Sequence, residues 1–193
     1  VAPCFRNLTN ICAVSIEPGD VAWLSAMLSQ NTGTLTHVKI DCPAAFDHTQ
    51  PIVQFLYKCS SFEILQLSNC TCLGMETIVQ NNINIREIDL DGCYDLNEDA
   101  FASLLTLPNL VTLHLAYNDL ITGDTAAHIA STKLKSFKLV KFFKLTEENL
   151  VRILRTVPNK AILWVHINYL MDPVQWLIDN GMMGFAKLTQ YPH

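Results

Sequence analysis

Apolar residues recur along this chain as apolar-x-x-apolar-x-apolar. The triplets are Ile11/Val14/Ile16, Leu35/Val38/Ile40, Phe62/Leu65/Leu67, Ile85/Ile88/Leu90, Leu110/Leu113/Leu115, Leu134/Phe137/Leu139 and Ile162/Val165/Ile167. Successive triplets start 23 to 28 residues apart. Their later positions alternate with polar ones, as a half-buried strand requires. In the fourth, Ile85, Ile88 and Leu90 alternate with Glu87, Asp89 and Asp91, and a Gly92-Cys93 corner follows. Each interval carries a second signal of helical period. The first reads Val21, Leu24, Met27, Leu28. Later ones read Ile52/Phe55/Leu56, Met75/Ile78/Val79, Phe101/Leu104/Leu105, Ala126/Ile129/Ala130, Leu150/Ile153/Leu154 and Val174/Leu177/Ile178. Asn97-Glu98-Asp99 and Thr146-Glu147-Glu148 place a cap and acids at helix starts, and Asp172-Pro173 suits another.

Strand then helix, about seven times over, predicts an α/β chain coiled as a right-handed solenoid. Its shape is a horseshoe arc whose parallel strands line a concave sheet. The expected organisation is one array over residues 1–193, with units starting near 11, 35, 62, 85, 110, 134 and 162 and atypical end units as caps.

The same alternation gives a surface map, because residues between and just after the apolar positions point away from the core. One column runs Ser15, Lys39, Gln66, Asp89, His114, Lys138, His166. Its neighbours run Glu17, Asp41, Ser68, Asp91, Ala116, Val140, Asn168 and Ala13, His37, Ile64, Glu87, Thr112, Ser136, Trp164. Glu87, Asp89 and Asp91, with Asp95, Glu98 and Asp99, make the fourth unit acidic. Lys133, Lys135, Lys138, Lys141 and Lys144 make the sixth basic, and eight of the thirteen lysines and arginines fall between positions 133 and 160. Charge of this kind keeps an array soluble. Set on one wall, it also orients a protein or peptide partner, and a phosphorylated partner would suit the lysine strand. Tyr117, Phe142 or Phe143, Trp164 and Tyr169 fall on or just past the last strands, either as corner packing or as partner anchors, Trp164 foremost. The candidate partner-binding set is Glu87, Asp89, Asp91, His114, Tyr117, Lys138, Lys141, Trp164 and His166.

Catalysis is not expected. His114 and His166 share a column but stand two strands, about 10 Å, apart. Asp89 is one strand from His114, near enough for an ion pair, yet that column offers no serine or cysteine nucleophile beside them. There is no HExxH and, with seven glycines in all, no phosphate-binding loop. No catalytic residue, cofactor or metal is assigned.

Half of the 193 residues are hydrophobic and 16% charged, so the chain can bury a sizeable core. A net charge of −5 argues against general nucleic-acid or acidic-membrane binding. No apolar run approaches the roughly 20 residues of a membrane span, and VAPCFRNLTN lacks the layout of a signal peptide, so a soluble chain is expected. Val1, in place of an initiator Met, suggests a fragment or a processed product. Seven cysteines stand at 4, 12, 42, 59, 70, 72 and 93. Only Cys70-Thr71-Cys72 is a close pair, short of the two that a zinc site needs. Several occupy core positions, which favours buried free thiols of a reducing compartment over a disulfide framework. The sequons Asn7-Leu8-Thr9 and Asn69-Cys70-Thr71 pull the other way, although Asn69 abuts an interior cysteine and would make a poor glycan site.

On these residues the chain resembles the leucine-rich repeat family, whose pattern is LxxLxLxx(N/C)xxL. It is most similar to the cysteine-containing type. Cys70 with Leu73 and Cys93 with Leu96 match that type's corner, and Asn118 with Ile121 supplies the other permitted residue. Leu145-Thr146 matches the helix start, Leu107-Pro108-Asn109-Leu110 the closing turn, and Cys59 the cysteine of a closing turn. A small polar or polarisable side chain fits the corner because buried backbone groups of the turn need partners. Gly19, Pro43, Phe142 and Leu170 depart from the pattern. The type resembles the repeat domain of F-box proteins, the substrate-recognition subunits of cullin-type ubiquitin ligases. That resemblance implies an intracellular module, cytoplasmic or nuclear, which holds a protein substrate while ubiquitin chemistry occurs on other subunits. No segment here reads as an F-box, so docking to the cullin ligase adaptor would fall outside this chain. The alternatives are a non-ligase scaffold or regulator and a secreted recognition domain. Secreted members carry cysteine-rich caps at both ends. Cys4 and Cys12 are available for one, but no cysteine follows Cys93.

Overall fold

The apolar triplets become strands because alternate side chains of an extended backbone face one side. In Ile64–Ser68 and Glu87–Asp91 the residues alternate half-exposed and buried without a break. The computed structural model describes residues 5–42, 50–70, 74–118, 134–140, 146–156, 162–166, 175, 178, 179 and 181. Within them lie β1 (Asn10–Ala13), β2 (His37–Asp41), β3 (Ile64–Ser68), β4 (Glu87–Asp91), β5 (Thr112–Ala116), β6 (Ser136–Val140) and β7 (Ile162–His166). The helices are α1 (Val21–Ser29), α2 (Gln50–Leu56), α3 (Met75–Asn81), α4 (Glu98–Leu104) and α5 (Glu147–Thr156), with a 3-10 turn at Pro18–Asp20. The strands pair in sequence order and all in parallel, forming an open α/β sheet with β1 and β7 at its edges. The helices expected around Ala126/Ile129/Ala130 and, apart from residues 175, 178 and 179, around Val174/Leu177/Ile178 lie outside the described residues.

One core joins the layers. Leu24 and Leu28 of α1, Ile52 and Leu56 of α2, Met75 and Ile78 of α3, and Phe101 and Leu104 of α4 pack with Val38, Leu65, Ile88, Leu113 and Phe137 of the strands. Burying each such side chain contributes about 1.5–3 kcal/mol. Neighbouring helices pack as α1 on α2 and α3 on α4. Two predicted caps form. The Asn97 side chain accepts from the Ala100 N–H at 2.8 Å, and the Asn149 N–H donates to Thr146 Oγ1 at 3.2 Å. No helix among the described residues is long and apolar enough to cross a membrane.

From β2 to β6 the register follows the triplets. Lys39, Gln66, Asp89, His114 and Lys138 stand in one row, flanked by the rows His37/Ile64/Glu87/Thr112/Ser136 and Asp41/Ser68/Asp91/Ala116/Val140. Both ends depart from the expected columns. In β1, Ile11 pairs with Val38, so Cys12 rather than Ser15 stands opposite Lys39, and Val14 is 56% exposed. The cause is an anchor upstream. Asn31 Oδ1 accepts from Leu8 N–H at 2.9 Å, its Nδ2 donates to Phe5 O at 2.8 Å, and Thr34 Oγ1 donates to Leu8 O at 2.7 Å. These bonds phase the strand on Leu8/Ile11/Ala13. In β7, Trp164 rather than His166 pairs with Lys138, and His166 pairs with Val140. A two-residue offset preserves the alternation of faces, so an apolar pattern alone does not exclude it.

Each central strand leaves the sheet in the same way. Asn69, Gly92 and Tyr117, the first residues beyond β3, β4 and β5, all have left-handed backbones with φ of 55°, 67° and 57°. The next residues, Cys70, Cys93 and Asn118, turn inward and are completely buried. Cys93 Sγ donates to Leu67 O at 3.5 Å. Asn118 Nδ2 repeats that bond one strand on, to Leu90 O at 3.3 Å, and adds one to Ala116 O at 2.8 Å. After β2 the expected corner residue, Pro43, lies outside the described residues, and Cys42 is buried with its Sγ 3.9 Å from that of Cys70.

Candidate functional site

The helices cover one face of the sheet, so the other carries its chemistry. The expected residues sort into three groups. Glu87, Asp89, Asp91, His114 and Lys138 come together, half-buried, on the outer face of β4, β5 and β6. Tyr117 stands just beyond β5, where its ring meets Tyr94 edge-on at 6.4 Å and 68°. Trp164 and His166 are placed by backbone register only, opposite Lys138 and Val140. Lys141 lies outside the described residues, as do Lys133, Lys144, Lys160, Phe142, Phe143 and Tyr169.

Within this face the polar side chains form two chains. Gln66 Nε2 donates to Glu87 Oε1 at 2.7 Å. Asp89 Oδ2 lies 3.5 Å from His114 Nδ1, and His114 Nε2 is 3.1 Å from Ser136 Oγ. Sequence columns had left His114 without a hydroxyl neighbour. Ser136 reaches it from the adjacent row because an imidazole is long enough to bridge diagonally to the next strand. Asp, His and Ser in line resemble a charge-coupled nucleophile, but acyl transfer also needs N–H donors aimed at the developing oxyanion. Lys135 N–H and Ser136 N–H both donate to Val111 O. The chain of contacts therefore fixes the orientation of the His114 ring. At the edge of the face Arg86 Nη2 pairs with Glu63 Oε2 at 2.8 Å, an exposed contact worth about 0–1 kcal/mol.

An open hollow of about 400 Å³ lies over β1–β4, lined by Cys12, His37, Lys39, Ile64, Gln66 and Glu87. Of these only Glu87 belongs to the expected set. The signal in the sequence was Ile64, an apolar residue in an outward-facing column. Tyr94, 45% exposed, was also passed over, since it lies beyond the corner and outside the strand columns.

The described cysteines are free thiols, with Cys12 exposed and Cys42, Cys59, Cys70 and Cys93 buried. Burial pushes the Cys59 and Cys93 thiols up to about 12. The contact between the Cys42 and Cys70 thiols lowers Cys42 and, together with burial, raises Cys70. Asn69 Nδ2, the atom that would carry a glycan, donates to Cys42 O at 2.8 Å. Among the described residues no three His, Cys, Asp or Glu side chains converge as metal ligands. No protein-family model and no curated protein matches the chain.

Proposed function

We propose that the chain is a leucine-rich repeat solenoid of the cysteine-containing type, a right-handed arc that binds a protein partner on its concave, outward sheet face. It serves there as the substrate-recognition part of an intracellular, F-box-like cullin ubiquitin ligase, without catalysis of its own. The observation that carries the reading is the common register of β2–β6. It stacks Lys39, Gln66, Asp89, His114 and Lys138 in one outward row while the same strands bury Val38, Leu65, Ile88, Leu113 and Phe137. Such a wall presents ordered charge over a broad area, which suits orienting a macromolecule more than enclosing a small substrate.

The corner supports the subtype, since Cys70, Cys93 and Asn118 occupy equivalent buried places past successive strands. Four buried free thiols support a reducing compartment over a secreted one. The test is affinity capture of the full-length protein with identification of bound subunits. A cullin and its adaptor are expected together with a substrate. The substrate should be lost from the double variant Asp89→Lys/Asp91→Lys and from Lys138→Glu, while the ligase subunits remain. A substrate retained by both variants would refute the face. Capture of the substrate without any cullin would leave a non-ligase scaffold.

A further inference from the structure

We propose that the hollow over β1–β4 is the anchor subsite of that face, and that it takes an apolar side chain of the partner with a lysine or arginine beside it. The inference rests on the reading of the outward face as a partner surface and adds where, and with what chemistry, the partner is held.

Three observations converge. First, the floor is Ile64, half-buried and apolar in a row that otherwise reads Asn10, His37, Glu87, Thr112 and Ser136 over β1 to β6. It stands on the face away from the core, so water is excluded from it only when a partner covers it. Second, the hollow beside it, at about 400 Å³, falls within the size range of pockets that enclose a ligand group. Third, the rim is polarised. On the β4 side Glu87 is held in place through Oε1 by Gln66, which leaves its second oxygen for a ligand, and Asp89 and Asp91 continue the negative edge. On the β2 side stands exposed Lys39, for which no ion pair is present among the described residues.

Complementarity then fixes the occupant's direction. A cation beside the apolar residue is drawn to Glu87 and Asp89 and repelled by Lys39. Neighbouring strands lie about 4.8 Å apart, so adjacent or next-adjacent residues of an extended segment reach Ile64 and Glu87 together. Cys12, exposed on the far rim, reports occupancy because a bound segment shields its thiol.

Random dodecapeptides displayed on phage, selected on the whole chain, test the subsite. Enriched sequences should carry an apolar residue with lysine or arginine next to it or one position away. A synthetic copy should slow alkylation of Cys12 by iodoacetamide. Its affinity should fall about tenfold or more in Ile64→Glu and in Glu87→Lys, and stay within about twofold in Lys138→Glu. Reselection on Glu87→Lys should exchange the basic residue for an acidic one. Should Ile64→Glu fail to fold, Ile64→Thr keeps the strand and carries the same expectation. Enrichment of sequences without the basic residue, indifference to Glu87→Lys, or no enrichment at all overturns the subsite. Peptides that respond to Lys138→Glu and not to Glu87→Lys overturn it while leaving the wider partner face standing. That wider reading is judged by its own capture experiment.

Discussion

Cys93 and Asn118, where β4 and β5 leave the sheet, are interchangeable in a way that Cys59 and Asn82, where α2 and α3 end, are not. At the strand exits the side chain donates to the preceding strand. Cys93 Sγ reaches Leu67 O, Asn118 Nδ2 reaches Leu90 O and Ala116 O, and Asn118 Oδ1 is buried without a partner among the described residues. At the helix exits an asparagine uses both ends of its amide. Asn82 Nδ2 donates to Ile78 O at 2.8 Å and to Cys59 O at 2.9 Å, while its Oδ1 accepts from Phe62 N–H at 2.9 Å. Asn31 does the same with Met27 O, Phe5 O and Leu8 N–H. Cys59, in the place equivalent to Asn82, bonds among the described residues to Phe55 O of its own helix. The strand exit needs a donor, which a thiol supplies. The helix exit gains from a donor and an acceptor that tie it to the turn before it, which a thiol does not.

The largest effect should come from breaking the helix-exit tie. Asn82→Ala removes the side-chain partner of three buried backbone groups and is expected to cost about 3 kcal/mol, read as a lower urea midpoint at unchanged slope. A loss under about 1 kcal/mol would erase the distinction between the two exits. Next is Gly92→Ala at about 2 kcal/mol, because the added Cβ would collide with Asn69 Oδ1 in a left-handed backbone, measured in the same denaturation.

Third is alkali. Cys59 and Cys93 titrate near 12 in the folded chain against an ordinary 9.0, so folding favours their neutral form. The stability this provides is intact below pH 9 and drains away as pH rises from 9 through 12, by up to about 1.4 kcal/mol per pH unit for each thiol. Cys93→Ala should flatten that alkaline slope by one thiol's share, and an unchanged slope would show that burial does not hold the proton. The smallest effect belongs to Asn118→Cys, within about 1 kcal/mol, since the thiol keeps a donor and removes the unpaired Oδ1. A cost comparable with Asn82→Ala would place the two exits in one class.

Much of the frame could be read before any coordinates. Strand faces and the β2–β6 register were legible because the positions within those triplets are mostly polar, Ile64 and Val111 excepted, and favour one phase. LTNICAVSI allows two, Leu8/Ile11/Ala13 and Ile11/Val14/Ile16, and side-chain size favours the second. What selects the first is Asn31, more than 20 residues away and carrying no periodicity of its own. ILWVHI is ambiguous for a related reason, being apolar at five of six positions. The face was legible as columns and less so as contacts. The contact of Asp89 with His114 lies along a row and was foreseeable, whereas His114 with Ser136 crosses rows and depends on side-chain length. The hollow at Ile64 needed four strands in register at once, which a column of letters does not display as a volume.

The shared exit geometry of β3, β4 and β5 makes the chain divisible. Glu87 stands opposite Ile64 and Thr112 opposite Glu87, with Gly92 and Tyr117 in like backbone conformations. Excising residues 87–111 would set Thr112 where Glu87 was and Asn118 where Cys93 was, one slice fewer and every remaining partner in step. The acidic strand residues Glu87, Asp89 and Asp91 would leave with the slice while His114 and Lys138 stayed. The polarity of the wall is thus housed in a removable cassette, and a shortened chain would present its face with the opposite sign.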